Sequence, residues 1–363
     1  MPVQGSQPEA IGFDDFLRLI PKVELHCHLA GTLRPPTLMQ LARKHGVRLP
    51  RPMHELYVYK DFYDFIEMLR QIALVLVDAD DFALTIYEAL QDGFESGNQR
   101  HAEIFFNPQY FYPNGTRYGT MLDGLIDGAR AAEKDFGVSC LLIPSIDRQI
   151  DPATAMEILD DILADRRPEV IGIGLDGPER EGPPRCFAEL YTRAGAAGLR
   201  RTAHVCEDNQ TLAEAPPSHY ADCRDRLGCE RLDHGYNLLA DPHMVARARD
   251  EGVFFTTCSV TSVTRNLVRR QQSIARMVDN GLRVTINTDD PQMFHTDLGD
   301  SYIRLFRSTG WDAERACTMS LNGIEASWLP DGAKRTLKTL FENEIAGLRR
   351  RLDAGASQSR PMR

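Results

Sequence analysis

An α/β fold of the (β/α)8 TIM-barrel type, with additional N-terminal and C-terminal helices, is predicted by three features of the 363-residue sequence. Short β-like runs alternate with longer helix-like segments along nearly the whole chain, and eight such runs can be counted. Chemistry-bearing side chains fall at the C-terminal ends of several runs, the face on which such barrels carry their sites. No glycine-rich phosphate fingerprint follows the first run, so a doubly wound dinucleotide-binding sheet gains no support.

The first strand is expected at 22–28, where Lys22-Val-Glu-Leu-His-Cys-His28 gives way to the polar, glycine-containing loop Leu29-Ala-Gly-Thr-Leu-Arg34. The others are expected at 101–107, 138–144, 170–176, 200–205, 230–234, 252–258 and 282–288. Between them, segments 36–44, 81–95, 120–134, 152–164, 187–197, 242–250 and 273–280 place apolar residues three to four apart, and several open on Asp, Pro or Thr. The stretch 49–70, with Tyr57, Tyr59, Phe62, Tyr63 and Phe65, is extra to this pattern and is expected as an aromatic excursion on the catalytic side. Residues 299–352 read as C-terminal helices packed around the barrel. No linker, repeat or low-complexity block divides the chain, so 11–354 is expected to form a single domain, with 1–10 and 355–363 as disordered tails.

Composition narrows the partners. Hydrophobic residues at 42% and charged residues at 26% describe a soluble globular protein, and a net charge of −10 argues against nucleic acid. No apolar run reaches the roughly 18 residues of a membrane span, and the N-terminus lacks the basic and apolar regions of a signal peptide. Eight cysteines without a C-x-x-C pair suggest no disulfide framework, which fits a cytoplasmic location. The sequence sets no oligomeric state.

His26 and His28 are the most informative pair. Residues two apart on a strand share a face, so both imidazoles can aim at one point, and imidazole suits zinc. The fifth strand ends in His204, followed by Glu207; the sixth ends in His234; the eighth runs into Asp289-Asp290-Pro291. Any one of these suits a hydrogen bond to a loop. Four such features at one end of a barrel suit a metal, because buried His and Asp without partners are costly.

The motifs resemble those of the adenosine/adenine deaminase family of metal-dependent amidohydrolases, over residues 16–347. Pro21-Lys-Val-Glu-Leu-His-Cys-His-Leu-Ala-Gly-Thr-Leu33 matches P-K-x-E-L-H-x-H-L-x-G-[ST]-L, and His204-Val-Cys-Glu207 partly matches H-A-G-E. Arg231-Leu-Asp-His-Gly235 matches R-[IL]-[GD]-H-G, and Asn287-Thr-Asp-Asp-Pro291 matches N-[ST]-D-D-P. The resemblance implies a zinc-dependent hydrolase that deaminates a small-molecule 6-aminopurine. Adenosine (giving inosine and ammonia) is the first expectation, with adenine or a modified adenine nucleoside as the alternative. It implies one Zn2+ per chain, held by His26, His28, His204 and Asp289, that brings water towards ionisation. Glu207 would protonate N1, while His234, with Asp289, would orient the attacking water and take its proton. Asp290 would bond N7, and the Gly177 N–H would meet N3.

Three departures bear on the substrate. Ala30 stands where adenosine deaminases carry an acidic residue near the ribose 5′-hydroxyl; Val205 and Cys206 replace two smaller residues; and Thr257-Cys-Ser-Val260 replaces C-P-[LWT]-S. His101-Ala-Glu-Ile-Phe-Phe-Asn107, Gly172-Ile-Gly-Leu-Asp176 and Asp233 look more like the adenine-deaminase branch. Two other classes stay open. A zinc hydrolase of the same barrel acting on another C–O, C–N or P–O bond is the alternative enzyme; many such hydrolases bridge two metals at the end of strand four, and here that strand ends Leu175-Asp176-Gly177 without a lysine, which favours one metal. A non-catalytic purine binder would have no need of a general acid beside a metal.

Overall fold

The computed structural model describes residues 9–261 and 267–358. Its barrel strands fall on the eight predicted runs. They are β1 Lys22–His28, β2 Gln99–Phe106, β3 Ser139–Asp147, β4 Gly172–Asp176, a divided β5 (Arg200–Arg201 and His204–Val205), β6 Arg231–His234, β7 Phe254–Cys258 and β8 Arg283–Asn287. The pairings between them are parallel. β5 is divided because its halves serve different neighbours: Arg200 and Arg201 pair with β4, His204 and Val205 with β6. The barrel closes where β1 meets the chain just past β8. There the Asp289 N–H donates to the His26 carbonyl at 2.9 Å, and the His28 N–H donates to the Asp289 carbonyl at 2.8 Å. The closing seam therefore runs through three of the residues singled out above.

Every residue of β1, β4, β6 and β7 is buried, as expected for parallel strands covered on both faces. Charges on such strands must be paired inside. The Lys22 ammonium donates to the carbonyls of Arg18, Ile20 and Gly97 at 2.7–2.9 Å. Near the N-terminal ends of the strands, Arg231 meets Glu103 at 2.6 Å and lies 4.1 Å from the ring centroid of Trp328. The Trp328 N–H donates to the other Glu103 oxygen at 2.5 Å. Burial opposes the charge on Glu103, but Arg231, His101 and the Trp328 N–H together outweigh it and hold the carboxyl at about 2.

Helices Pro35–Lys44, Ala79–Gly97, Tyr118–Phe136, Pro152–Ala164, Ala188–Ala196, Pro242–Glu251 and Leu267–Asp279 occupy the predicted segments. Side-chain caps start two of them: Asp151 accepts from the N–H groups of Ala153 and Thr154, and Asp241 from those of His243 and Met244. The helix expected at 273 begins at Leu267 instead. Its early buried positions are held by Arg270 and Gln271, polar residues that an apolar pattern assigns to solvent.

The excursion between the first helix and the second strand forms helix Phe62–Ala73, capped by Asp61, with Phe62, Phe65, Ile66 and Leu69 buried. The additional N-terminal helix is Phe13–Leu19, and the C-terminal ones are Leu298–Thr309, Ala313–Ala326 and Asp331–Gln358. The last extends into the stretch expected as a tail, because the first described residues pack along it: Ile11 N–H donates to the Arg351 carbonyl and Arg351 Nε to that of Glu9. The remainder of the expected tails, 1–8 and 359–363, lies outside the described residues. All eight cysteines are free, and no helix among the described residues is long and apolar enough to cross a membrane.

Arg231→Leu leaves the Glu103 carboxylate buried without its cation, and should lower the unfolding free energy by about 3–5 kcal/mol. In urea unfolding, Glu103→Leu/Arg231→Leu should recover most of that loss. A single variant that unfolds at the wild-type midpoint would show that the pair carries no such role.

Candidate active site

The strand ends bring together every side chain that the sequence nominated there. His26 and His28 project from β1, His204 from β5, His234 from β6, and Asp289 and Asp290 follow β8; all are buried. Three non-glycine residues at these ends have left-handed backbones: Cys206 (φ 53°), His234 (φ 68°) and Asp289 (φ 67°). Each such conformation costs roughly 1 kcal/mol or more and persists only where the surroundings impose it. At Asp289 the imposing feature is the closing seam, since both its backbone groups are bonded to β1.

His26, His28, His204 and Asp289 each offer one ligand atom, and these atoms lie within 4.8 Å of one another. His26 Nε2 is 3.2 Å from Asp289 Oδ1, and His28 Nε2 is 3.5 Å from the same oxygen. Contacts with Asp233, direct or through Thr256, favour Nδ1 as the protonated nitrogen of two of these imidazoles. The Thr256 hydroxyl donates to Asp233 Oδ1 at 2.7 Å, so it accepts from His26 Nδ1 at 3.0 Å. His204 Nδ1 faces the other oxygen of Asp233 at 3.3 Å. Nε2 of His26 is therefore left bare, and it makes no hydrogen bond. Nε2 of His204 faces Nε2 of His28 at only 3.0 Å.

Nδ1 of His28 faces Asp176 Oδ2 at 3.8 Å; with the His28 proton on that nitrogen, the two Nε2 lone pairs are aimed at each other beside a carboxylate and repel unless a cation lies among them. The residues thus fit a metal, and three imidazoles with one carboxylate suit zinc. Electrostatics agrees with this reading. Burial, followed by the neighbouring His204, lowers His28 to about 3. Burial and His26 hold His234 well below the usual histidine range. Burial works against ionisation of Asp289, but its contact with His26 and the surrounding imidazoles keep it well below the usual carboxylate range.

Two other carboxyls that line the cavity behave oppositely. Glu207 is pushed up to about 7 by burial, which outweighs the nearby Arg270. Asp290 is pushed well up by burial and by the charge of Asp289 beside it, and its Oδ1 has no hydrogen-bond partner. A Cβ on Gly31 would lie 2.0 Å from that oxygen, so only glycine lets β1's loop pass Asp290. Gly177, with φ 85°, also lines the cavity. The cavity measures about 470 Å³ including its open mouth, and its apolar wall is Phe62, Phe65, Ile66, Leu69 and Phe294. The excursion thus supplies most of that wall, on the side expected for it.

Several contributors escaped the sequence reading. Asp233 was noted only as a branch marker, although an acidic residue directly before His234 in a buried run is a signal of internal pairing. Arg270, fully buried, donates from Nη2 to Glu207 Oε1 at 2.9 Å. Asn107 donates to both oxygens of Asp176 at 3.0 and 2.8 Å beside Gly177. Tyr236 holds His234: its hydroxyl donates to the Cys258 carbonyl, accepts the Cys258 N–H, and lies 3.4 Å from His234 Nδ1.

A family model described as Adenosine deaminase matches residues 21–343. The chain is 34% identical over 340 residues to an adenine deaminase of Streptomyces coelicolor, covering 91% of this chain and 96% of that protein. It is 32% identical to an adenine deaminase of Cupriavidus metallidurans, covering 88% and 90%. Among solved structures, a zinc-bound amidohydrolase from Burkholderia ambifaria superposes with a TM-score of 0.86 at 32% identity, covering 96% of this chain and 98% of that one. The adenine deaminase of Arthrobacter aurescens superposes with a TM-score of 0.82 at 32% identity, covering 90% and 98%. The chain belongs to the adenosine/adenine deaminase family, and it is a hydrolase of the deaminase class.

Asp233→Asn keeps the shape but replaces one of the two oxygens that face Thr256 and His204 by an N–H donor. Affinity for zinc, measured by chelator competition, should fall by about 10–100-fold while the wild type retains one ion per chain by elemental analysis. Unchanged affinity would remove Asp233 from the metal's support.

Proposed function

We propose that this chain hydrolyses the 6-amino group of adenine, giving hypoxanthine and ammonia, with His26, His28, His204 and Asp289 holding one zinc ion. The observation that carries the reading is a cluster fit for a metal that lines the same cavity as two carboxyl groups whose ionisation burial opposes. Zinc bound there would supply an electrophile that lowers the pKa of a coordinated water to about 7. The protein's own groups would do the rest. Glu207, protonated near neutral pH, would hand a proton to N1, so that the ring accepts electrons as C6 is attacked. His234 has its Nδ1 turned to Tyr236, which leaves Nε2 as a base for the proton of the attacking water. Asp290, kept protonated, would donate to N7, which in a neutral purine only accepts. The Gly177 N–H would meet N3.

Adenine, rather than the adenosine that the sequence put first, is favoured by two considerations. Ala30 offers no acceptor for a ribose hydroxyl, and the wall of Phe62, Phe65, Ile66, Leu69 and Phe294 would leave buried sugar hydroxyls unpaired. Relatives at 32–34% identity over most of the chain bear the name adenine deaminase, which supports the same choice.

Ammonia release from adenine and adenosine separates the two substrates. kcat/KM for adenine should exceed that for adenosine by about 100-fold or more; comparable values would overturn the choice of the free base. Glu207→Gln should keep its zinc and lose about 10²–10⁴-fold in kcat. If that variant instead loses its metal, as His26→Ala should, Glu207 is not the acid.

A further inference from the structure

The two oxygens of Glu207 are treated unequally. Oε1 accepts from Asn209 Nδ2 at 2.6 Å and from Arg270 Nη2 at 2.9 Å, and lies 3.9 Å from His234 Nε2. Oε2 has no hydrogen-bond partner among the described residues. Asn209 is itself held: the Thr261 hydroxyl donates to its Oδ1 at 3.0 Å, which turns Nδ2 towards Glu207. Arg270 is held more firmly still. Its Nε donates to Asp208 Oδ1 at 2.8 Å, Nη2 lies 2.6 Å from the same oxygen, and its guanidinium lies 4.8 Å from the ring centroid of Tyr236. Asp208 takes the shorter contacts of Arg270 and also faces Arg269 Nε at 3.8 Å, so Arg270 reaches Glu207 from a position that Asp208 fixes.

An oxygen that already accepts two N–H donors has no room for a proton directed at them. We infer that Arg270, braced by Asp208, and Asn209 clasp Glu207 by Oε1, so that its transferable proton sits on Oε2, from which it is given to the purine N1. Arg270 and Asn209 are positioning residues that act through Glu207, and the inference rests on Glu207 being the acid of the proposed reaction. In that step the Oε2–H bond breaks, an N1–H bond forms, and the electron pair stays on a carboxylate already met by two donors. The N1 proton remains in hypoxanthine. Glu207 is reprotonated from the hydroxyl on C6 as the C6–N bond breaks, and ammonia leaves with the proton first taken from water.

A double-mutant cycle on kcat for adenine tests the clasp. In the wild-type background, Asn209→Ala and Arg270→Lys should each lower kcat by about tenfold or more, with KM within about threefold and zinc content unchanged. In the Glu207→Gln background there is no acid proton to place, and the same changes should alter kcat by less than about twofold. Equal losses in both backgrounds would mean a general structural role and would overturn the inference. Should Arg270→Lys fail to fold, Asn209→Ala, which removes no charge, carries the cycle alone. If the wild type deaminates another aminopurine instead of adenine, the adenine reading fails while the cycle, run on that purine, still decides the clasp. A chain that deaminates no aminopurine overturns both.

Discussion

A single buried carboxylate, Asp233, is the constraint from which the arrangement at the strand ends follows. It has no exposure to solvent, so its charge must be met from within. It accepts from the hydroxyls of Thr202 and Thr256 on Oδ1 and faces His204 Nδ1 with Oδ2. Burial works against its ionisation, but the contact with His204 and the neighbouring His26 and Arg231 keep it far below the usual range. Through Thr256 it decides the tautomer of His26, and its Oδ2, 3.3 Å from His204 Nδ1, favours the same tautomer there. Two imidazoles thereby present bare nitrogens to the same small volume as His28 and Asp289.

The adjacent residues Asp289 and Asp290 show how little distance a dry site needs to separate two chemistries. Asp289 is surrounded by imidazoles and stays charged; Asp290 has none, and the charge of its neighbour helps to keep it neutral. The left-handed backbone at Asp289 belongs to the same arrangement, for it lets one residue bond to β1 with both backbone groups while its side chain faces the histidines. Glu207 has a guanidinium beside it, yet is pushed up to about 7 because burial outweighs that cation, which Asp208 also contacts.

Much of this was legible in the chain because strand periodicity is simple. His26 and His28 had to share a face once 22–28 was a strand, and the placement of His204, His234, Asp289 and Asp290 at strand ends followed from counting alternating runs. The excursion was legible as aromatic and as lying on the catalytic side, although its helical form was not. Arg270 was hidden for a related reason: an arginine at a helix position is assigned to solvent unless its partners are known, and those partners, Glu207 and Asp208, lie more than 60 residues away. The same blindness shortened the predicted helix by moving its start past Arg270.

By itself, then, the sequence determined the barrel and the identity of the metal-capable and acidic side chains, because each depends on local spacing and residue chemistry, and the resemblance of its motifs to a known family pointed to the reactions they serve. The tertiary structure decided what local spacing cannot encode. The division of β5 between two neighbours, the seam that bends Asp289 onto β1, the proton positions imposed by Asp233 and the unequal oxygens of Glu207 all arise from contacts between residues distant in the chain. Which carboxyl is charged and which is neutral depends on what surrounds each in a water-poor interior, and only folding creates those surroundings.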